Sequence, residues 1–470
     1  MKPVLEEVLH IIHTLSRNDG DYSLKKIGWH LCITDSDFSD ALILGDTMII
    51  RIGRLLCYSI ICILLLSSCR RPTSADTYPE IVFPDRYVEG QDFNPMAFGE
   101  RPNTAAVTED GIYFKVGSFL FFADIKTLKA RPLCYKLTCT HINERPEKII
   151  ECNAFSDPFY REKDFLGVFR DHVYFTALDC TTGLTALVRT NLDGSGRETV
   201  IQDVRKITAS SMRIHRGVLY YHVSMTDLDG NVRYLFCGID LTKDKSDPEI
   251  LFEGSTVAGS FTEVLPYGNY IYYNEKFVIG EKGNKRQKNR ISRYHIINRT
   301  CEVLTDISEY NLYGVVDQSL ILFDGSNYYE MDQETNEIRI SELCIQKYAE
   351  AHPDWECYAH SITRDIAFLY CEDHVPDETS IIWNRIIVNS QGEEVIREFQ
   401  PNVIMPEVSD QIITINGDRY YLWYSASIRP YTVSLYKVED LLEGKLDPIE
   451  MLKVLDKNEL NAEYTYTIKN

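Results

Sequence analysis

The stretch that decides the fold is RDHVYFTALD (170–179), followed by TALVRTNLDGSG (185–196) and ETVIQ (198–202). It reads as a polar turn, a short aromatic strand, a second strand closing on Asn-Leu-Asp-Gly, and a third apolar strand. β-Branched and aromatic residues bounded by Asp, Asn and Gly have this pattern because they fit a pleated, half-buried surface while the turns need permissive backbone. Moving outward along the chain, the same plan recurs six more times. It begins with EDGIYFKVG, SFLFFADI and ARPLCY (from 109) and continues with RGVLYYHVSM, YLFCGIDL and PEILFEG (from 216), then GNYIYYNEKF, RISRYHII and CEVLTD (from 268). DQSLILFDG, NYYEMD and EIRISE (from 317) form a weaker fifth unit. RDIAFLYCED, IIWNRIIVNSQG and EEVIREF (from 364) and GDRYYLWYSA, VSLYKVED and IEMLKV (from 417) complete the set.

The aromatic strands start near Tyr113, Tyr174, Tyr220, Tyr272, Leu322, Phe368 and Tyr420, a spacing of roughly 46 to 61 residues. A near-constant period of this size with several short strands per repeat predicts an all-β protein, a seven-bladed β-propeller over 105–470. One small sheet cannot cover both of its faces, and stacking it between two neighbours does, which accounts for strands that are apolar on both sides. A sheet sandwich gives no reason for the repeat. The segments 463–468 and 81–83 are both candidates for a strand that completes the last blade.

Composition agrees. The chain of 470 residues holds 30 Tyr and 20 Phe and carries a formal charge of -21, which repels nucleic acid and anionic surfaces as main partners. Nine cysteines follow Cys69, an odd number, so they cannot all pair internally. Cys237 and Cys371 sit in apolar strand-like runs and read as buried free thiols, as fits export in an organism living with little oxygen.

Upstream of the repeats lies one uninterrupted apolar run, Leu55 to Leu66, too short for the roughly 20 residues a bilayer crossing needs. Arg51 and Arg54 precede it and Ser67, Ser68 and Cys69 follow, the basic, apolar, small order of a secretory signal. Leu66-Ser67-Ser68-Cys69 resembles the lipobox of bacterial lipoproteins, which implies lipidation of Cys69 and a new N-terminus there. A start at Met48 gives a signal of ordinary length, so 1–47 reads as an over-extended N-terminus, 48–69 as the signal peptide and 70–104 as a tether. These features place the chain at the extracytoplasmic face of the cell membrane, held by lipid.

The first unit carries an insertion over 132–155, with Cys134, Cys139, His141 and Cys152 spaced C-x4-C-x-H-x10-C. With the lipobox and the repeats, this Leu-Cys-x4-Cys-x-His segment and the later Cys-x-Ala resemble a group of lipoproteins common in gut Clostridia. The chain is also similar to low-density-lipoprotein-receptor-related propeller-like domains, and neither resemblance brings an activity with it. Three thiolates and an imidazole suit a tetrahedral structural zinc, although the spacing matches no common zinc module. A disulfide between two of the cysteines, structural thiols with His141 merely hydrogen-bonded, and a redox or catalytic site are the alternatives, and each reading pins the insertion to the propeller wall.

Elsewhere the chemistry is sparse. No G-x-S-x-G, H-E-x-x-H or P-loop occurs. Gly194-Ser195-Gly196 reads as a hairpin turn, Asp227 to Asn231 as a turn without the acidic residue that would close a calcium loop, and Lys282 to Arg290 as a solvated hairpin tip. His215, His222, His295, His360 and His374 are dispersed and read as core or exposed residues. The expected function is an anchored binding or interaction protein that takes a protein or carbohydrate ligand on its propeller surface. An extracytoplasmic glycan lyase or hydrolase with its site on the propeller axis is the alternative.

Overall fold

The computed structural model describes residues 105–136, 165–202, 212–279, 286–400 and 411–454 with short gaps, and isolated positions including Phe83, Tyr87, Asp92, Cys139 and 152–156. The signal segment, Cys69, His141 and 463–468 lie outside the described residues. Seven four-stranded antiparallel sheets follow one another. Blade one is β1 (Ala105–Val107), β2 (Gly111–Val116), β3 (Phe119–Asp124) and β4 (Ala130–Pro132). Blade two is β5 (Leu166–Phe169), β6 (His172–Asp179), β7 (Leu184–Asn191) and β8 (Glu198–Ile201). Blade three is β9 (Arg213–His215), β10 (Val218–Thr226), β11 (Val232–Asp240) and β12 (Glu249–Glu253). Blade four is β13 (Ala258–Tyr267), β14 (Tyr270–Ile279), β15 (Arg286–His295) and β16 (Thr300–Val303). Blade five is β17 (Asn311–Val316), β18 (Ser319–Phe323), β19 (Tyr328–Asp332) and β20 (Ile338–Ile340). A helix, α1 (Cys344–Ala351), leads to blade six: β21 (Glu356–Ile362), β22 (Ile366–Asp373), β23 (Ile382–Asn389) and β24 (Glu394–Gln400). Blade seven is β25 (Gln411–Ile415), β26 (Asp418–Ser425), β27 (Tyr431–Lys437) and β28 (Ile449–Val454), with a short helix α2 (Val438–Leu442) before β28.

The aromatic strand is therefore the second of each blade, and a shorter strand precedes it. β1, β5, β9, β13 and β17 lie side by side around the ring, and β25 lies against β1. The second strands have both faces covered. In β2 every residue is buried: Ile112, Phe114 and Val116 join a core with Ile413, Leu422 and Leu435 of blade seven. Tyr113, between them, joins a core with Leu166, Val173 and Phe175 of blade two. The strand's period of two thus divides its side chains between two neighbours, as the repeat predicts. Similar cores fill each junction around the ring.

Among the described residues, blade seven takes its four strands from 411–454 and blade one its four from 105–132, while 81–82 and 463–468 lie outside the described residues. Among the described residues, the ring closes by the side-chain packing between blades seven and one. Cys371 is not a free thiol: it faces Cys357 directly across β21 and β22, and the two form a disulfide. Cys237 is a buried free thiol.

The segment read as a tether also contributes to the propeller. The carboxylate of Asp92 is fully buried and receives both Nε (2.7 Å) and Nη2 (2.9 Å) of Arg216, in the turn between β9 and β10. The remaining Arg216 Nη1 donates to Asn269 Oδ1 of blade four. Phe83 lies beneath the same guanidinium, and the Tyr87 ring stacks on Tyr267 at 5.2 Å between centroids. Phe83, Tyr87 and Asp92 therefore pack against blades three and four within the compact unit that begins at Phe83.

Candidate functional site

The insertion leaves β4 at Pro132. Leu133 N donates to Leu120 O at 2.8 Å, extending the sheet by one bond before Cys134 turns away. Cys139 N returns a bond to Lys136 O at 3.2 Å. The far end of the insertion comes back to the same place: Leu120 N donates to Ala154 O at 2.8 Å, and Phe119 bridges Phe155. Ala154 and Phe155 are fully buried in the core between blades one and seven, so the Cys-x-Ala portion is held by ordinary apolar packing.

Blade two supplies a second wall. Asn153 Nδ2 donates to Gly194 O at 2.6 Å, and Arg197 Nη1 donates to Phe155 O at 2.7 Å and Asn153 O at 3.3 Å. Gly194 has φ +83°, and a Cβ there would lie 2.7 Å from Leu133 O. Glycine is required on both counts. Gly194-Ser195-Gly196 is a hairpin turn between β7 and β8, with Asp193 Oδ1 accepting from Ser195 N and Oγ. Its backbone closes around the insertion instead of around a phosphate.

At the root of the insertion the Sγ atoms of Cys134, Cys139 and Cys152 all lie within 4.8 Å of one another. Cys152 is buried and the other two are half-buried. Burial alone raises the pKa of the Cys134 thiol, but backbone N–H groups of Lys136 and Asn153 and contacts with the other two thiols more than offset it, holding it below the usual range. The Cys152 thiol is pushed well up, first by burial and then by negative charge on Cys134 and Cys139. The cluster thus favours one anionic sulfur and resists a second. Of the four expected residues, the structure brings the three cysteines together, and His141 falls outside the described residues.

Among the described residues, the dispersed histidines lie on separate strands. His215 on β9 is buried, its Nε2 2.7 Å from Gly268 O, and His222 is buried on β10. His295 ends β15, His360 lies on β21, and His374 is outside the described residues. Burial lowers the pKa of both buried histidines to about 4, so they are neutral core residues. In the basic stretch, Arg290 on β15 pairs with Glu275 on β14 and Lys288 pairs with Glu309 in the loop before β17, so part of an expected solvated tip is held by ion pairs.

No family model matches the chain, and no curated protein is similar to it in sequence. Solved structures do match. The propeller domain of the Trilobed protease from Pyrococcus furiosus is 10% identical over 76% of this chain and 99% of its own, with a TM-score of 0.41. TolB from Acinetobacter baumannii is 12% identical over 72% of this chain and 76% of its own, with a TM-score of 0.33. A prolyl endopeptidase is 10% identical over 74% of this chain, with a TM-score of 0.43. This chain spans about half the length of that peptidase, 49%. The likeness is one of fold.

Proposed function

We propose that this chain is a non-enzymatic interaction protein of the cell envelope, anchored by lipid on Cys69, that meets its partner through the insertion of blade one. The observation that supports the reading is that the insertion is fastened at its root on two sides. Leu120 N–H and Phe119 hold it to blade one, and Gly194 and Arg197 hold it to blade two. Loops fixed to a rigid scaffold are where folds of this kind carry recognition, because the scaffold removes the ordering cost that a free loop would meet on binding. The protein or carbohydrate nature of the partner is left to the experiment.

Two measurements test the two halves. Intact mass of the chain made in a lipoprotein-processing bacterium is expected to show cleavage before Cys69 with a diacylglyceryl adduct, absent in Cys69→Ala. An uncleaved chain would refute the anchor. For the binding half, a photo-crosslinker at Glu144 is expected to give a discrete adduct on intact cells, whereas one at Val303, exposed on the outer strand of blade four, gives none. The reverse pattern would move the binding surface away from the insertion.

A further inference from the structure

The geometry points to a structural zinc site formed by the thiolates of Cys134, Cys139 and Cys152. Three sulfurs within 4.8 Å of one another are close to the edges of a zinc tetrahedron, about 3.8 Å for bonds of about 2.3 Å. Closing on an ion asks the sulfurs to shift by roughly an ångström or less. A disulfide explains only two of the three and leaves the last thiol buried against it.

The surroundings favour an anion. The N–H groups of Lys136 and Asn153 are directed at the Cys134 sulfur, and they stabilise a thiolate far better than a disulfide sulfur, which is a weak acceptor. Three thiolates this close together repel one another. A divalent ion removes that repulsion and releases the protons. Soft sulfur donors select zinc over the oxygen-seeking magnesium and calcium. In sequence His141 stands two residues beyond Cys139, which makes its imidazole the candidate fourth donor. A fourth donor from the protein would leave the ion no open site, so that it serves as a rivet between the ends of the insertion. Only the purpose of the rivet rests on reading the insertion as a presented loop.

The test uses the full chain purified without oxygen, with zinc measured by plasma mass spectrometry beside thiol titration under denaturing conditions. The expected result is one zinc per chain, falling below a tenth of that in Cys139→Ser and in Cys152→Ser. His141→Ala keeps all three thiols, and so is less exposed to misfolding; it is expected to lose zinc to a chelator at least about tenfold more readily. Cobalt(II) in place of zinc is expected to give the intense visible bands of a tetrahedral thiolate site. No metal with two thiols missing beyond Cys357 and Cys371 would replace the site by a disulfide. No metal with these three thiols reactive, or zinc unaffected by both cysteine variants, would also overturn it. Repeating the Glu144 crosslink with that chain separates the two readings, since loss of the metal site alone leaves the adduct in place.

Discussion

At the scale of single residues, Arg216 is the position on which most depends. It stands at φ +51° in the β9–β10 turn, a conformation that Arg170, Asp317 and Asn416 share at the matching turns of other blades. Its guanidinium is satisfied by Asp92 and Asn269. Removing one member of a buried pair strands the other charge, so Asp92→Ala is expected to cost about 3–5 kcal/mol in a denaturant titration. A loss under about 1 kcal/mol would mean that the 83–92 segment is not clasped to the ring. Nearby, His215 and His222 set a pH dependence. Both have folded pKa values of about 4, chiefly from burial, against an ordinary 6.5. The unfolded chain therefore binds more protons between those values. Stability is full above pH 6.5, falls as pH drops towards 4, and changes no further on their account below it. The size is about 3 kcal/mol per histidine, and His215→Gln is expected to flatten its share of the slope in melts taken from pH 7 to 4.

At the scale of elements, the hairpin of blade two and the insertion act together. Gly194→Ala meets both a positive φ and Leu133 O, and it is expected to cost about 1–3 kcal/mol and to speed amide exchange at Leu120 and Phe155, whose carbonyl or N–H partners lie in the same joint. Unchanged exchange would show that the hairpin does not hold the loop. Cys357→Ser with Cys371→Ser removes a cross-link 14 residues apart and is expected to cost about 3 kcal/mol by chemical denaturation. How legible these elements were varied with their length. The second strands announced themselves because both faces are buried and aromatic, as in Gly111–Val116. The first strands β1, β5 and β9 did not, because three or four residues such as Arg213-Ile214-His215 carry no period. The Cys357–Cys371 pair was readable in principle, since the two stand almost symmetrically about Arg364 at the hairpin turn. The bulge between Ala359 and Ser361 hides that symmetry. Cys134, Cys139 and Cys152 were legible as a set because their spacing breaks the repeat. The contacts of Gly194 and Arg197 were not, since they join segments about 40 residues apart.

At the scale of the whole molecule, a ring whose described blades close by side-chain packing makes a distinct prediction. Because β25 to β28 complete blade seven, a chain ending after residue 458 is expected to keep the melting cooperativity and midpoint of the full chain. A collapse of cooperativity would show that the last residues serve as a closing strand. Closure instead relies on Ile112 and Phe114 meeting Leu422 and Leu435, and the insertion sends Cys152, Ala154 and Phe155 into that same core. The sulfur cluster thus sits at the seam where the ring begins and ends, touching blade two on its other side. A rivet there ties the insertion to the part of the ring that has no covalent continuity of its own. The most direct test is X-ray absorption at the zinc edge on the full chain purified anaerobically. The account predicts a first shell of three sulfurs at about 2.3 Å and one nitrogen at about 2.0 Å. A shell of oxygen and nitrogen alone, or no zinc signal at all, would contradict it.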